Sequence, residues 1–347
     1  MKRNILGGTE IEVSALCLGT MTYGTQTAPE DAHRQIDMAL EAGIDFLDTA
    51  EMYPVNPIRP ETTGRSEEII GDWVAGSGRR GEMVIATKHS GVGFKGARDG
   101  APISGQTVPK AIEGSLKRLR TDVIDLYQLH WPNRGSYMFR QNWRYDPSAQ
   151  NRAETQAHME DTLGALTREV ERGTIRAFGL SNESAWGTAE WLRIAEATGG
   201  PRVATIQNEY SLMCRLYDTD LAELSVNEDV SLLPFSPLAA GLLTGKYQGG
   251  TVPGGSRMAL TGDLGGRKTE RAFAAVEAYL EVASEHGLDP VHMALAWSVQ
   301  RPFVGSSIFG ATTCAQLEHI IAGKDLVLSD EVMRALDKVH RAHPMPY

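Results

Sequence analysis

The sequence predicts an α/β fold, a (β/α)8 TIM barrel with an N-terminal β-hairpin and an extra C-terminal helix. Three observations point to it. Eight short apolar runs are each followed by a stretch with helical periodicity. The runs are continuously apolar more than alternating, as in strands covered on both faces. No glycine fingerprint for a dinucleotide stands near the first strand, where an open doubly wound sheet would carry one. The 347 residues exceed the roughly 250 typical of such a barrel. The surplus falls in the hairpin, residues 132–154, residues 238–268 and the last helix. The whole chain, 1–347, reads as one domain.

In order, residues 4–14 read as a hairpin around Gly7, Gly8 and Thr9. ALCL (15–18) is a buried strand. A helix follows with Ile36, Ala39, Leu40 and Gly43 on one face, then the strand Ile44–Asp48. Ser66 is expected to N-cap a helix packing Ile70, Trp73 and Val74, with Glu67 and Glu68 in its first turn. MVIAT (83–87) is a strand, and Thr107 and Pro109 open a helix that turns Ile112, Leu116 and Leu119 inward. VIDLYQL (123–129) is a strand, and Leu163, Leu166 and Val170 mark a helix stopped by Gly173. RAFGL (176–180) leads to a helix with Trp191, Ile194 and Ala195. VATIQ (203–207) leads to a short helix near Leu221 to Ser225. VSLLPF (230–235) precedes a long loop, a helix with Val276, Tyr279, Leu280 and Ala283, and another begun by Asp289 and Pro290. FVGSSI (303–308) is the eighth strand. Helices with Leu317, Ile320 and Ile321, and with Val332, Leu336 and Val339 behind Ser329, finish the chain.

The chain is 41% apolar and 22% charged, ordinary for a globular protein with a sizeable core. Its net charge of −10 argues against a nucleic-acid or anionic-membrane partner, since either needs a basic face. Cys17, Cys214 and Cys314 have neither disulfide nor metal spacing, so a reducing cytoplasm is expected. MKRNILGGTE has no apolar core of a signal peptide, and no run approaches the ~18 residues of a membrane span. Two glycine patterns are decoys. GVGFKG (91–96) matches GxGxxG but opens no helix directly, and GLLTGKY (241–247) is one residue short of a P-loop, with Tyr247 in place of the magnesium-binding hydroxyl. His340 and His343 lack metal-binding partners, so no metal is expected.

Four residues at strand ends carry the chemistry. Asp48 closes IDFLD and Tyr53 follows it; Lys88 closes MVIATK; His130 closes VIDLYQLH. Singly, each has a bland reading: a turn cap, a rim aromatic, a solvated lysine, a packed histidine. Jointly, a carboxylate, a phenol, an ammonium and an imidazole at successive strand ends suit proton delivery to a carbonyl. The C-terminal strand ends are where such barrels keep their catalytic groups.

The chain resembles the aldo-keto reductase superfamily over essentially its whole length, and is most similar to the bacterial Tas-type branch and its relatives, the potassium-channel β subunits. The stretches that carry the resemblance are LGTMTYG (18–24), FLDTAEMYP (46–54), ATKHS (86–90), DLYQLHWP (125–132), FGLSNES (178–184), IQNEYSL (206–212), FSPLAAGLLTGKY (235–247) and FGATTCAQL (309–317). The resemblance implies a catalytic tetrad of Asp48, Tyr53, Lys88 and His130. In it Tyr53 is the proton donor, Lys88 lowers the phenol's pKa, Asp48 holds Lys88, and His130 orients the carbonyl. It also implies NADPH/NADP+ as cofactor in preference to NADH. Thr20 and Met21 would lie beside the nicotinamide ribose; Ser181, Asn182 and Gln207 would bind the carboxamide, with Tyr210 stacked on the ring. The block containing Phe235, Ser236, Pro237, Leu238, Gly241 and Lys246 would clamp the pyrophosphate, and Gly310, Thr312 and Gln316 would bind the adenosine end.

Two positions depart from the family pattern. Ile320 stands where an adenine-binding Asn is common, and Ala311, Thr312 and Thr313 stand where a cationic partner of the 2′-phosphate is common. Arg257, Arg267 and Lys268 are the alternative cations. The channel subunits lack the histidine that this chain keeps as His130, which favours an active enzyme. The expected function is reduction of aldehydes and ketones to alcohols, with a small carbonyl compound as partner and either a monomer or a homo-oligomer. A nucleotide-binding redox sensor with little turnover is the alternative, and an aldolase using Lys88 as a Schiff base a third. Trp131, Tyr137, Phe139, Trp143 and Tyr145, with Arg134, Arg140 and Arg144, suggest a pocket for aromatic or acidic carbonyl compounds. The tail 340–347 is expected to lean over it.

Overall fold

A computed structural model describes residues 1–347. Strands β1 (Arg3–Ile5) and β2 (Glu12–Ser14) form the N-terminal hairpin. Eight parallel strands follow: β3 (Leu16–Gly19), β4 (Phe46–Asp48), β5 (Val84–His89), β6 (Ile124–Leu129), β7 (Ile175–Ser181), β8 (Val203–Gln207), β9 (Ser231–Leu232) and β10 (Ser307–Gly310). Their order is β10-β3-β4-β5-β6-β7-β8-β9. Parallel bridges from Leu232 to Val304 and from Phe235 to Ile308 join the two ends of that row, so the sheet closes on itself. The two runs read as the seventh and eighth strands, 230–235 and 303–308, are thus only partly regular strand. Leu232 and Phe235 of one run meet Val304 and Ile308 of the other by single bridges instead of a ladder.

The hairpin plugs the barrel floor. Leu6, Ile11 and Val13 pack with Cys17, Phe46, Ala86, Leu126, Ala204 and Leu233 inside the barrel. The larger core lies between the outer wall and the helices α1 (Pro29–Glu41), α2 (Arg65–Ser77), α3 (Thr107–Leu119), α4 (Arg152–Glu171), α5 (Ala185–Thr198), α6 (Asp220–Glu228), α7 (Arg257–Leu260), α8 (Glu270–Glu285), α9 (Pro290–Val299), α10 (Cys314–Ala322) and α11 (Asp330–Ala342). Asp289 and Ser329 begin α9 and α11 where the sequence says they should, accepting backbone N–H groups at the N-caps, and Ser184 does the same for α5. Ser66 does not cap α2. The helix begins earlier, behind Gly64, and the Ser66 hydroxyl donates instead to the Tyr23 carbonyl at 2.9 Å. No helix is long and apolar enough to cross a membrane.

Candidate active site

Strand alternation aims the site. Within β5 and β6, Lys88 and Gln128 face the barrel axis while their neighbours face the helices, because successive side chains point to opposite faces. Lys88 is fully buried. Its ammonium donates to Asp48 Oδ2 at 2.6 Å and to the Thr49 carbonyl at 2.7 Å, and lies 3.5 Å from the Tyr53 hydroxyl. Asp48 Oδ1 is held from the far side by amide donors of Gln128 at 3.1 Å and Gln207 at 2.8 Å. The Thr20 hydroxyl braces the same strand end by donating to the Asp48 carbonyl at 3.0 Å. His130 meets Tyr53 edge-on, with ring centroids 5.9 Å apart. The four residues read from the sequence thus converge on one point at the barrel mouth.

The electrostatics separate their roles. Burial raises the Tyr53 phenol above its ordinary pKa; Lys88 pulls the other way and Asp48 adds to the rise. Burial alone would lower the Lys88 ammonium, but Asp48 and Tyr53 outweigh it and hold it above its usual value. Burial, Lys88 and His89 push His130 well below the usual imidazole range. At neutral pH the site therefore holds a protonated phenol, a charged lysine and a neutral imidazole.

Two groups missed in the sequence complete this end. Gln128, two residues before His130 and on the same strand face, shares the tether of Asp48. Glu51 is buried, accepts the Ser90 N–H at 2.5 Å and takes both Arg98 amino groups, at 2.7 and 2.6 Å. That pair pins the loop 91–106 beside Tyr53. Phe94 from this loop, with Met21, Met52, Val55 and Trp131, forms an apolar collar around Tyr53.

The expected cofactor and substrate residues divide into three groups. Some stand ready. Asn182 donates to the His130 carbonyl at 2.9 Å, but its buried Oδ1 has no donor, which suits a carboxamide N–H. Ser181 and Gln207 flank it; the Ser181 hydroxyl donates to the Gln207 carbonyl at 2.8 Å. After β9, Ser236, Ala239, Ala240 and Gly241 all have left-handed backbone, which winds the loop into tight turns closed by the Ala239 N–H on the Ser236 carbonyl at 2.8 Å and the Gly241 N–H on the Leu238 carbonyl at 2.9 Å. A Cβ on Gly241 would lie 3.0 Å from Lys246 Cε, so glycine keeps room beside that ammonium. Leu238 is half-buried in this loop, with Pro237 buried beneath it. Neither Lys246 nor Arg257 has a carboxylate partner, and the Arg257 guanidinium is lowered by burial and by Arg267. Gly310, Thr312 and Gln316 lie together at the far rim, where Gln316 Oε1 accepts the Thr312 N–H at 2.9 Å. This donor set fits a carboxamide at one end and phosphates at the other.

Other residues do not stand ready. Tyr210 is fully buried in the core, stacked on Trp297 at 5.1 Å, and its hydroxyl is held by Asp218 at 2.5 Å. It has no face free for a ring. Phe235, three residues past β9 and bridged to Glu209 and Ile308, is half-buried instead. Of the alternative cations, Arg267 is spent on Glu209 at 2.8 Å, while Lys268 is exposed.

The third group revises the pocket read from residues 132–154. Arg134 pairs with Glu183 and lies over Trp186, Arg140 pairs with Glu209 at 2.6 Å, and Arg144 and Trp143 are exposed. Two of the three arginines are thus neutralised inside the protein and offer little to an acidic substrate. The tail does fold back here: Tyr347 is buried and donates to Glu209 at 3.3 Å. A cavity of about 770 Å³ lies between α4, α5 and the outer wall and is lined by residues such as Trp131, His158 and Trp191. No tetrad residue lines it.

A family model described as the aldo/keto reductase family matches residues 15–341. The chain belongs to this family. It is 42% identical over 342 residues to the protein named "Protein tas" of Escherichia coli (strain K12), covering 97% of each chain. It is 32% identical to "Uncharacterized oxidoreductase YrpG" of Bacillus subtilis (strain 168), covering 98% of this chain and 96% of the relative. It is 29% identical to "Probable voltage-gated potassium channel subunit beta" of Arabidopsis thaliana, over 99% and 98% of the two chains. The likenesses agree with the Tas-type branch, and the family with its oxidoreductase relatives makes this chain an aldo/keto reductase-type oxidoreductase.

Proposed function

We propose that the protein reduces aldehydes and ketones to alcohols with NADPH, and that Tyr53 donates the proton. The observation that carries this reading is the protonation pattern around the 3.5 Å Lys88–Tyr53 contact. His130 is held neutral and well below neutral pH, so it is no proton reservoir, whereas Tyr53 keeps its proton at working pH. When bound, the nicotinamide supplies the hydride that reaches the carbonyl carbon. The protein's part is the oxygen. As negative charge grows there, Tyr53 releases its proton to it. The Lys88 ammonium then faces the phenolate left behind, and Asp48, fixed by two glutamines, keeps that ammonium in place. The neutral His130 ring, against Tyr53, positions the carbonyl by a hydrogen bond.

The cofactor would be held by Asn182, Ser181 and Gln207 at its carboxamide, by Phe235 against the ring, and by the left-handed loop with Lys246 and Arg257 at its phosphates. Gly310, Thr312 and Gln316 would take the adenosine end. The collar of Met21, Met52, Val55, Phe94 and Trp131 suits apolar and aromatic carbonyl compounds.

Fluorescence titration with NADPH and NADH, followed by steady-state reduction of an aromatic aldehyde, tests the reading. NADPH should bind more tightly, and Tyr53→Phe should reduce turnover about 1,000-fold while leaving NADPH binding intact. Tight binding without multiple turnover on a broad carbonyl panel would instead favour a nucleotide sensor.

A further inference from the structure

Away from the barrel mouth, the flank where α9 meets α10 holds a second concentration of chemistry. Asp289, His292 and His319 bring a carboxylate oxygen and two ring nitrogens within 4.8 Å of one another. Asp289 caps α9, His292 lies in its first turn, and His319 reaches across from α10.

The three groups are oriented, not merely close. His292 Nε2 lies 2.6 Å from the His319 carbonyl oxygen. A carbonyl only accepts, so Nε2 carries the proton and the neutral ring keeps its lone pair on Nδ1. Nδ1 is the nitrogen turned toward Asp289, 3.9 Å from Oδ1. An imidazole that gives its far N–H to a backbone carbonyl and presents its other nitrogen is held as metal-binding histidines are held. The carboxylate is fixed too. Asp289 Oδ1 accepts the N–H groups of Val291 at 2.8 Å and His292 at 3.1 Å, while Oδ2 faces His319 Nε2 at 3.0 Å. Gly323 supplies the room. A Cβ there would lie 2.1 Å from His292 Cγ, yet its φ of −102° is open to any residue. Its missing side chain serves the ring and not the backbone.

We propose that Asp289, His292 and His319 form a binding site for a divalent transition-metal ion, with Zn²⁺ as the best fit. Two imidazoles and one carboxylate are a nitrogen-rich set that zinc accepts and that the oxygen-seeking Mg²⁺ and Ca²⁺ do not prefer. Bonds of about 2.1 Å to a tetrahedral ion put its ligand atoms about 3.4 Å apart. His319 Nε2 lies 3.0 Å from Asp289 Oδ2 and His292 Nδ1 lies 3.9 Å from Oδ1, with all three ligand atoms within 4.8 Å, so a small contraction of the side chains around an ion reaches that spacing. The side chains are 33%, 18% and 50% exposed, so an ion can reach them and keep water as a fourth ligand. The bound ion joins α9 to α10, the helix that carries Gln316 one turn before His319. Its effect falls on the stability of that flank, about which the tetrad chemistry is indifferent. The site does not depend on the proposed reaction.

Chelator-treated full-length protein, titrated with Zn²⁺ by calorimetry and with Co²⁺ by visible absorption, tests the site. One equivalent of Zn²⁺ should bind, and Co²⁺ should give the intense visible bands of a tetrahedral centre. His292→Ala and His319→Gln should each weaken binding at least ~10-fold, and Gly323→Ala should do the same by displacing the His292 ring. His340→Ala should change nothing. Zn²⁺ should raise the melting temperature of the wild type but not of His319→Gln, whose half-exposed position tolerates the change. No binding, or binding that survives both histidine substitutions, would overturn the proposal.

Discussion

The tetrad and the loops around it are built on opposite terms. Asp48, Lys88 and Tyr53 are tied at or just past strand ends by contacts of 2.6 to 3.5 Å, with Gln128 and Gln207 reaching Asp48 across the barrel, and His130 packs its ring against Tyr53 in the same buried nest. The surroundings of the mouth are built from three segments that the barrel itself does not need. These meet at a single buried carboxylate. Glu209, just beyond β8, takes Arg140 from the segment after β6, Arg267 from the loop after β9, and the hydroxyl of Tyr347 from the tail. The tetrad is thus fixed by the sheet, while the segments around it are fixed by an ion-paired knot. The two should fail separately.

The sharpest break is at Asp48. Asp48→Asn leaves the buried Lys88 ammonium without its counter-charge, and removing one partner of a buried pair costs about 3–5 kcal/mol. Urea unfolding should show that loss, and turnover should drop at least ~100-fold with it. Glu209→Gln should do the reverse. Arg140 and Arg267 lose a shared charge, the loops loosen, and NADPH dissociation measured by stopped flow should quicken about tenfold, near 1.4 kcal/mol. Single-turnover reduction at saturating cofactor should change by less than about threefold. If both fall together, the separation of sheet and loops is wrong.

The gentlest break uses pH. Burial, with Arg98 adding to it and Glu51 opposing, lowers His89 from 6.5 to about 4 beside the Glu51–Arg98 latch. The folded state keeps this ring neutral while the unfolded chain protonates it below about 6.5. Its stabilisation is therefore complete above that pH and is lost as pH falls toward about 4, by up to ~1.4 kcal/mol per unit. His130, depressed in the same direction, adds to the slope. Denaturant midpoints between pH 4 and 7 should show the decline, and His89→Asn should flatten it.

The sequence made the wall and the tetrad readable for the same reason. Apolar runs mark strands, and polar residues that end them have few places to go but the mouth. What it hid are facts of direction and of long-range partnership. Tyr210 and Phe235 are both aromatics just past a strand, and only the fold shows one turned into the core against Trp297 and the other left half-buried. Ser66 looked like a cap because its neighbours suit a first turn, but Gly64 lets the helix start earlier. Arg140 and Arg267 lie 69 and 58 residues from Glu209, so nothing local distinguishes them from free cations. The Asp289–His319 pair spans 30 residues in the same way.

The barrel wall is thinnest where β9, two residues long, meets the start of β10 through isolated bridges. The loop with Ser236, Gly241 and Lys246 springs from one side of that joint, and Gly310, Thr312 and Gln316 stand on the other. A nucleotide gripped by both sides spans the gap like a keystone. The molecule consumed in the reaction would then also be a removable piece of the masonry, and each exchange of spent cofactor for fresh would briefly leave isolated bridges as the clasp across the ring's weakest course.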